Sequence, residues 1–417
     1  MVTKRIFVSD IHMGDERSTS QPSPLHNYCW FHDSESASEP DRPEMLTKFL
    51  EEYCAGDASI NEVVVVGDLF DEWVCPAQFD PTEPPCPVPL PQGEQYRKIA
   101  SAPQNLPVIE ALKKLASQKR LVYVPGNHDM FADGPIVSEM FPGIRCPKPV
   151  DGHCVYRADG IWAEHGHWYG MFNAPHPAGA AGGLSASRLP LGYFISRIDA
   201  EETLRTGKGF SLPQVFKEWI EHILYRVPQA RDSKAIAGDL VDDVLMDLFD
   251  TLVSDHAYGL KGAVMNGFAG IPGITPWEEV KKRYAHVYAQ WSTNHPNNVR
   301  PLDAIQCDAG SLWEAARMVT FTNDDVRIVI CGHTHESTFE SYPIDISDDT
   351  IISPEANRIY ANSGAWTNDT VTCTFVETEL RPDEKMHLVS LKEWIKDPLI
   401  GDYKAKDVWR QNGWVVP

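Results

Sequence analysis

The sequence has no run of eighteen apolar residues, no repeat, no low-complexity tract and no Cys-x-x-Cys pair. Without such a run no spanning helix is expected. Nine cysteines are scattered between Cys29 and Cys373. An odd, widely spaced set is neither a disulfide framework nor a structural zinc site, so free thiols in a reducing compartment are expected. Basic residues are also scarce: 37 Lys and Arg stand against 59 Asp and Glu, for a formal net charge of -22. That balance argues against nucleic acid or an anionic membrane as the habitual partner. A small phosphorylated substrate stays compatible, because a bound metal inverts the local field. The stretch from Met1 to Asp10 runs directly into a strand and leaves no room for a signal peptide. A cytoplasmic protein is therefore expected. Nothing in the sequence specifies an oligomeric state.

What is present is 417 residues, enough for one large domain with insertions, or for two or three domains, and for a core that needs no staple. The stretch that organises the chain is Val124-Pro-Gly-Asn-His-Asp129. An apolar run, Leu121 to Val124, reads as a buried strand that stops at a Pro-Gly turn and presents an amide, an imidazole and a carboxylate. α/β proteins place their chemistry beyond the carboxyl ends of strands, although Gly-Asn alone is also an ordinary turn.

Four further stretches share this form. Ile6 to Ser9 reads as a strand followed by Asp10 and His12, whose alternate spacing puts both side chains on one side of an extended segment. Glu62 to Val66 reads as a strand followed by Gly67, Asp68 and Asp71, a spacing that also suits a strand-to-helix cap. The hairpin predicted over Val155 to Ala163 leads into His165 and His167, of which His165 is the expected ligand. Val326 to Cys331 ends in Gly332, His333 and His335. Between these strands, apolar spacing predicts helices over Glu44–Tyr53 and Pro107–Gln118. Strand and helix alternate, which points to parallel pairs. Gly14 to Pro43 reads as a long loop, and Val74 to Gly93, dense in Pro, as irregular chain. Val371 to Val376 and Met386 to Leu391 read as closing antiparallel strands. From residue 175 to 324 the pattern becomes mainly helical, with segments at Gln214–Tyr225, Asp239–Val253 and Trp277–Trp291 and a last helix over Ser311–Val319.

Each motif alone is weak. The five together, Asp-x-His, Gly-Asp-x-x-Asp, Gly-Asn-His-Asp, His-Gly-His and Gly-His-Thr-His, each at a strand end, resemble the calcineurin-like metallophosphoesterases. The resemblance covers about residues 4–174 and 325–392. It implies an α/β fold, an αββα sandwich of two mixed sheets flanked by helices, with residues 1–174 and 325–417 forming the catalytic domain and 175–324 an inserted helical cap. It implies a phosphoesterase that hydrolyses a small phosphate mono- or diester with two divalent ions of Mn, Fe or Zn and a metal-bound hydroxide. Asp10, His12, Asp68 and His335 would surround one ion, and Asp68, Asn127, His165 and His333 the other, with Asp68 as the bridge. His128 would face the substrate and Asp71 would hold its tautomer. Asp129, Asn362 and Gly364 are expected to be structural. Gly67-Asp-Leu-Phe-Asp-Glu-Trp73 is similar to the branch that hydrolyses UDP-diacylglucosamine, but that branch carries Arg where this chain has His128, so only the general activity carries over. A nuclease of the same family, or a scaffold of this fold that has lost its metals, are the alternatives. The filled ligand positions count against the scaffold.

Overall fold

The computed structural model describes residues 2–16, 41–73, 93–149 apart from 133, 153–175 apart from 171, four positions between 190 and 196, 265–266, 274–275, 311–342, 358–367, and 372–414 apart from 385, 398 and 400. The three helices expected within residues 214–291, and the Pro-rich stretch up to Pro91, lie outside them.

Two mixed sheets form the body. In the first, β1 (Thr3–Val8), β2 (Ile60–Val66) and β3 (Leu121–Val124) run parallel, and β11 (Cys373–Arg381), β12 (Met386–Lys396) and β13 (Tyr403–Trp414) continue it antiparallel from β1. In the second, β5 (Ile161–Ala163), β8 (Ile328–Cys331) and β10 (Arg358–Asn362) are parallel, flanked by antiparallel β4 (Tyr156–Ala158) and β9 (Thr338–Tyr342). A two-stranded pair, β6 (Met265–Asn266) and β7 (Ile274–Thr275), lies within the inserted stretch.

Three apolar layers stack these elements into the expected αββα sandwich. Strands that are apolar on both sides bury both faces. Phe7, Val64, Val66, Val122 and Val124 pack inward against Ile161, Ile328, Ile330 and Ile359 of the second sheet. The outer face of the first sheet, with Ile6, Val8, Val63 and Val65, is covered by α1 (Arg42–Lys48), α2 (Glu94–Ser101) and α3 (Leu106–Ser117). On α3, Val108, Ile109, Leu112 and Leu115 form the buried stripe that its 3.6-residue period dictates. The outer face of the second sheet is covered by α5 (Trp313–Thr322), whose Ala315, Ala316 and Val319 meet Val329, Cys331 and Tyr360. A short helix, α4 (Gly134–Met140), follows β3.

The start and the end of the first expected helix both differ from the sequence reading. Arg42 and Pro43, read as the end of a loop, open α1: Asp41 accepts from the Glu44 amide, and proline suits the first turn because its missing N–H has no partner there anyway. The expected Glu44–Tyr53 helix widens after Lys48 into a π-type turn, Phe49–Cys54, closed by the Ala55 amide on the Leu50 carbonyl at 2.8 Å.

Because β1, β2 and β3 are parallel, as are β5 and β8, each set of strands delivers its carboxyl-end motifs to one edge. Leu112 is buried and Leu106 is 44 % exposed on the same helix. Leu112→Ala should therefore lower stability by about 2–5 kcal/mol, and Leu106→Ala by less than about 0.5 kcal/mol. Denaturant midpoints of the two variants check this, and equal shifts would contradict the packing of α3.

Candidate metal centre

The loops after the strands are tied to one another by backbone pairing. The Ile11 and His12 amides both donate to the Asp68 carbonyl at 2.9 Å, and Met13 donates to Leu69 at 3.0 Å. The Gly332 amide donates to the His165 carbonyl at 3.1 Å, and Trp366 to Asp10 at 2.9 Å. Asp10, His12, Asp68, His333 and His335 all have positive φ, between 52° and 74°. Left-handed backbone at non-glycine residues costs energy and persists only where the surroundings impose it. Gly67 shows how tight the packing is. Its φ is 85°, and a Cβ there would sit 2.4 Å from Nδ1 of His165.

Asp129 is the brace beneath these loops. Its carboxylate accepts from the amides of Asp68 (3.2 Å), Leu69 (2.7 Å), Phe70 (3.3 Å) and Gly126 (2.6 Å). Burial and the Asp68 charge push its pKa up to about 6, against the pull of those amides. Its position is structural. Asn362 plays a similar part, donating to the Gly332 carbonyl and Thr334 and accepting from the Gly364 amide.

Above the brace the side chains meet. Asp10, His12 and His335 place one ligand atom each within 4.8 Å of one another, as do Asp10, Asp68 and His165, and also His12, Asp68 and His128. The Nδ1 of His165 donates to the Val66 carbonyl at 2.9 Å, so its Nε2 is left 3.0 Å from Oδ2 of Asp68 without hydrogen-bond geometry. The Nδ1 of His12 donates to Oδ2 of Asp71 at 3.0 Å, and its Nε2 faces Nε2 of His335 at 3.1 Å. Lone pairs of neutral imidazoles cannot face a carboxylate or each other at such distances without a proton or a cation between them. Oδ1 of Asn127, Nε2 of His165 and Nε2 of His333 are buried with no hydrogen-bond partner. Buried polar atoms ordinarily have one. Orphaned acceptors beside ionised carboxylates are the donor set a divalent cation takes, so these residues fit the expected ions.

The electrostatics agree. Burial raises Asp68, but His165 and His128 outweigh it and hold its carboxyl well below the usual range. Asp10 is likewise lowered, against burial, chiefly by His165 and His12. Asp71 is lowered too, against burial, by His128 and His12. Burial opposes charge on His165, yet Asp68 and Asp10 raise it to about 9. His333 is driven down to about 3 by burial and by His165. His167 falls well below the ordinary value for the same two reasons. The pocket thus favours positive charge between Asp10 and Asp68.

Asp71 does more than expected, bonding His128 Nδ1 through Oδ1 at 2.9 Å as well as His12 through Oδ2. His128 stacks on Trp73, with ring centroids 4.2 Å apart and planes at 23°. Three contributors were not read from the sequence. Ser9 donates to Oδ2 of Asp10 and contacts Ser363 at 2.7 Å. Asn173 accepts from Nδ2 of Asn127 at 3.4 Å. Glu164, beside His165, is paired with His153, Trp162 and Tyr169. Ser9 and Glu164 abut motif residues, which was the available signal, whereas Asn173 had none.

The family model described as calcineurin-like phosphoesterase matches residues 3–337. The chain therefore belongs to the calcineurin-like phosphoesterase family. Among solved structures it is similar to Chaetomium thermophilum Vps29 complexed with the RaPID-derived cyclic peptide RT-D3, at 13 % identity and a TM-score of 0.18, covering 26 % of this chain and 52 % of that one. It is also similar to a second crystal structure of Chaetomium thermophilum Vps29, at 14 % identity and a TM-score of 0.17, covering 25 % and 48 %. The matched region thus spans about half the length of these structures. Comparison with curated proteins yields no match.

Removing the brace tests this architecture. Asp129→Ala leaves several buried amides without an acceptor and should cost at least about 2 kcal/mol. Asp129→Asn, which keeps one acceptor oxygen, should cost less. Unfolding midpoints of both variants check the order.

Proposed function

We propose that the protein is a metal-dependent phosphoesterase that hydrolyses a small-molecule phosphate mono- or diester. The observation that carries this reading is the trio of buried, partnerless acceptors on Asn127, His165 and His333 beside the paired carboxylates of Asp10 and Asp68. Asp10, His12, Asp68 and His335 would hold one divalent ion, of Mn, Fe or Zn, and Asp68, Asn127, His165 and His333 a second, with Asp68 shared. When bound, such a pair neutralises phosphoryl oxygens and acidifies water.

The chain's own groups do the rest. Asp71 keeps the Nδ1 proton of His128 engaged, which leaves Nε2 of that ring for the substrate. His128 then stabilises charge on the phosphoryl oxygen or protonates the departing one. Asp71 also fixes His12, so one carboxylate orients a ligand and the acid together. The insertion, whose two ends flank His165 and His333 in sequence, would act as a cap that selects the non-phosphate part of the substrate. The acidic balance makes DNA a poor substrate. Free thiols at Cys54, Cys154 and Cys373 suit a reducing, cytoplasmic setting. No helix among the described residues is long and apolar enough to cross a membrane.

Three outcomes follow from this reading. Chelation should abolish hydrolysis of a nitrophenyl ester, and added manganese, iron or zinc should restore it. A protein that contains no metal and takes none up, by elemental analysis, would be a scaffold instead. Asp68→Asn should lose both activity and metal, and two retained ions with near-normal turnover would refute the shared-ligand assignment. His128→Ala should keep its metal and lose about a hundred- to ten-thousand-fold in rate on esters with poor leaving groups. That loss should shrink for nitrophenolate, and steady-state kinetics across a leaving-group series measures it.

A further inference from the structure

We propose that Gly192 and Tyr193, at the start of the insertion, form a positioning wedge that sets the orientation of His128. The proposal rests on the phosphoesterase reading for its kinetic consequence, but its geometry does not. The His128 ring lies against Trp73, and Tyr193 packs perpendicular to that indole, at 5.9 Å between centroids and 90° between planes. Trp73 and Tyr193 are both almost wholly buried. The indole therefore touches both the imidazole it supports and a ring that belongs to the insertion.

Gly192 shows why the wedge is tight. Its amide donates to the Phe172 carbonyl at 2.8 Å. A Cβ there would lie 2.7 Å from Oδ1 of Asn173 and 3.4 Å from Cζ3 of Trp73. The glycine is required by close approach to Asn173 and to the Phe172 carbonyl, 3.1 Å from the same Cβ position, with Trp73 at ordinary contact distance. Those two side chains are the supports of adjacent residues: Asn173 accepts from the Asn127 amide, and Trp73 backs His128. One backbone position thus lies beside the props of both. A small rotation of a catalytic group costs rate steeply. Tyr193 is a positioning residue, acting on His128 through Trp73.

The test reads the ring directly. An imidazole stacked on an indole has its Hε1 proton displaced upfield. In the full-length protein, kept metal-free with chelator, the His128 signal is assigned by its absence from His128→Gln. Tyr193→Ala should return that signal toward the ordinary imidazole position, and Tyr193→Phe, which keeps the ring edge, should restore the displacement. In the metal-loaded protein, Tyr193→Ala should lower the ratio of phenyl-ester to nitrophenyl-ester turnover about ten-fold, with KM little changed, because proton donation matters most for the poor leaving group. A folded Tyr193→Ala with its His128 signal unmoved overturns the wedge. If Tyr193→Ala does not fold, Tyr193→Leu keeps the apolar volume without the ring and carries the same readout. A wild-type protein inactive on both esters refutes the phosphoesterase reading alone, since the resonance still decides the wedge.

Discussion

The two oxygens of Asp129 hold the site together. One carboxylate gathers amides from the turn after β2 and from the turn after β3, and so fixes the distance between Asp68 and Asn127. The turn after β1 then pairs with the β2 turn through the Asp68 and Leu69 carbonyls. Side chains that come from distant parts of the sequence are placed by backbone hydrogen bonds, before any side chain touches another. This is the arrangement that precise ligand geometry needs, because the loops are pinned to strands and cannot drift.

Above that brace, the pocket carries an unfavourable charge set. Asp10, Asp68 and Asp71 are all buried. Burying an ionised carboxylate costs several kcal/mol unless it is paired. Without a cation the pairing must come from protons on His12 and His165, which explains why both rings are pushed toward their charged forms while burial opposes it. His333 and His167 cannot join them, because burial opposes their charge and a further positive ring beside His165 is repelled, and both are pushed toward the neutral form. A divalent ion replaces two such protons with one centre that also satisfies the orphaned acceptors. The left-handed backbone at Asp10, His12, Asp68 and His333 is a second cost at the same place. Two separate costs borne by one group of residues are what a functional site leaves in a fold.

Much of this was legible in the sequence. Short apolar runs, three of them stopping at Gly or Pro-Gly, identified parallel strands, since a strand buried on both faces is apolar nearly throughout. The polar residues after them identified the edge they share. What could not be read was what lacks a local pattern. β13 is an edge strand whose residues are mostly exposed, so no alternation marks it. β9 is short and half polar. Asp71 was expected to hold one histidine and holds two, because its second partner, His12, lies 59 positions away and only the loop pairing brings it there. Asn173 carries no motif and is recruited by the path of the chain. Ligand types could be inferred from chemistry, whereas their supports depend on tertiary placement.

That difference bears on how the insertion can influence the site. The ligand residues sit on strand ends, where a distant change in the chain is resisted by the sheet. Trp73 and Asn173 sit on loops, and the backbone at Gly192 passes close enough to both that a side chain there would meet them. A shift of a few tenths of an ångström there would leave the strand-borne carboxylates where they are and move the props of His128 and Asn127. Substrate contacts made by the insertion would then reach the acid through packing, without any direct bond. In the phosphoesterase proposed above, metal binding would be set by the strands and the Asp129 brace, and proton donation partly by the loops that carry Trp73 and Asn173.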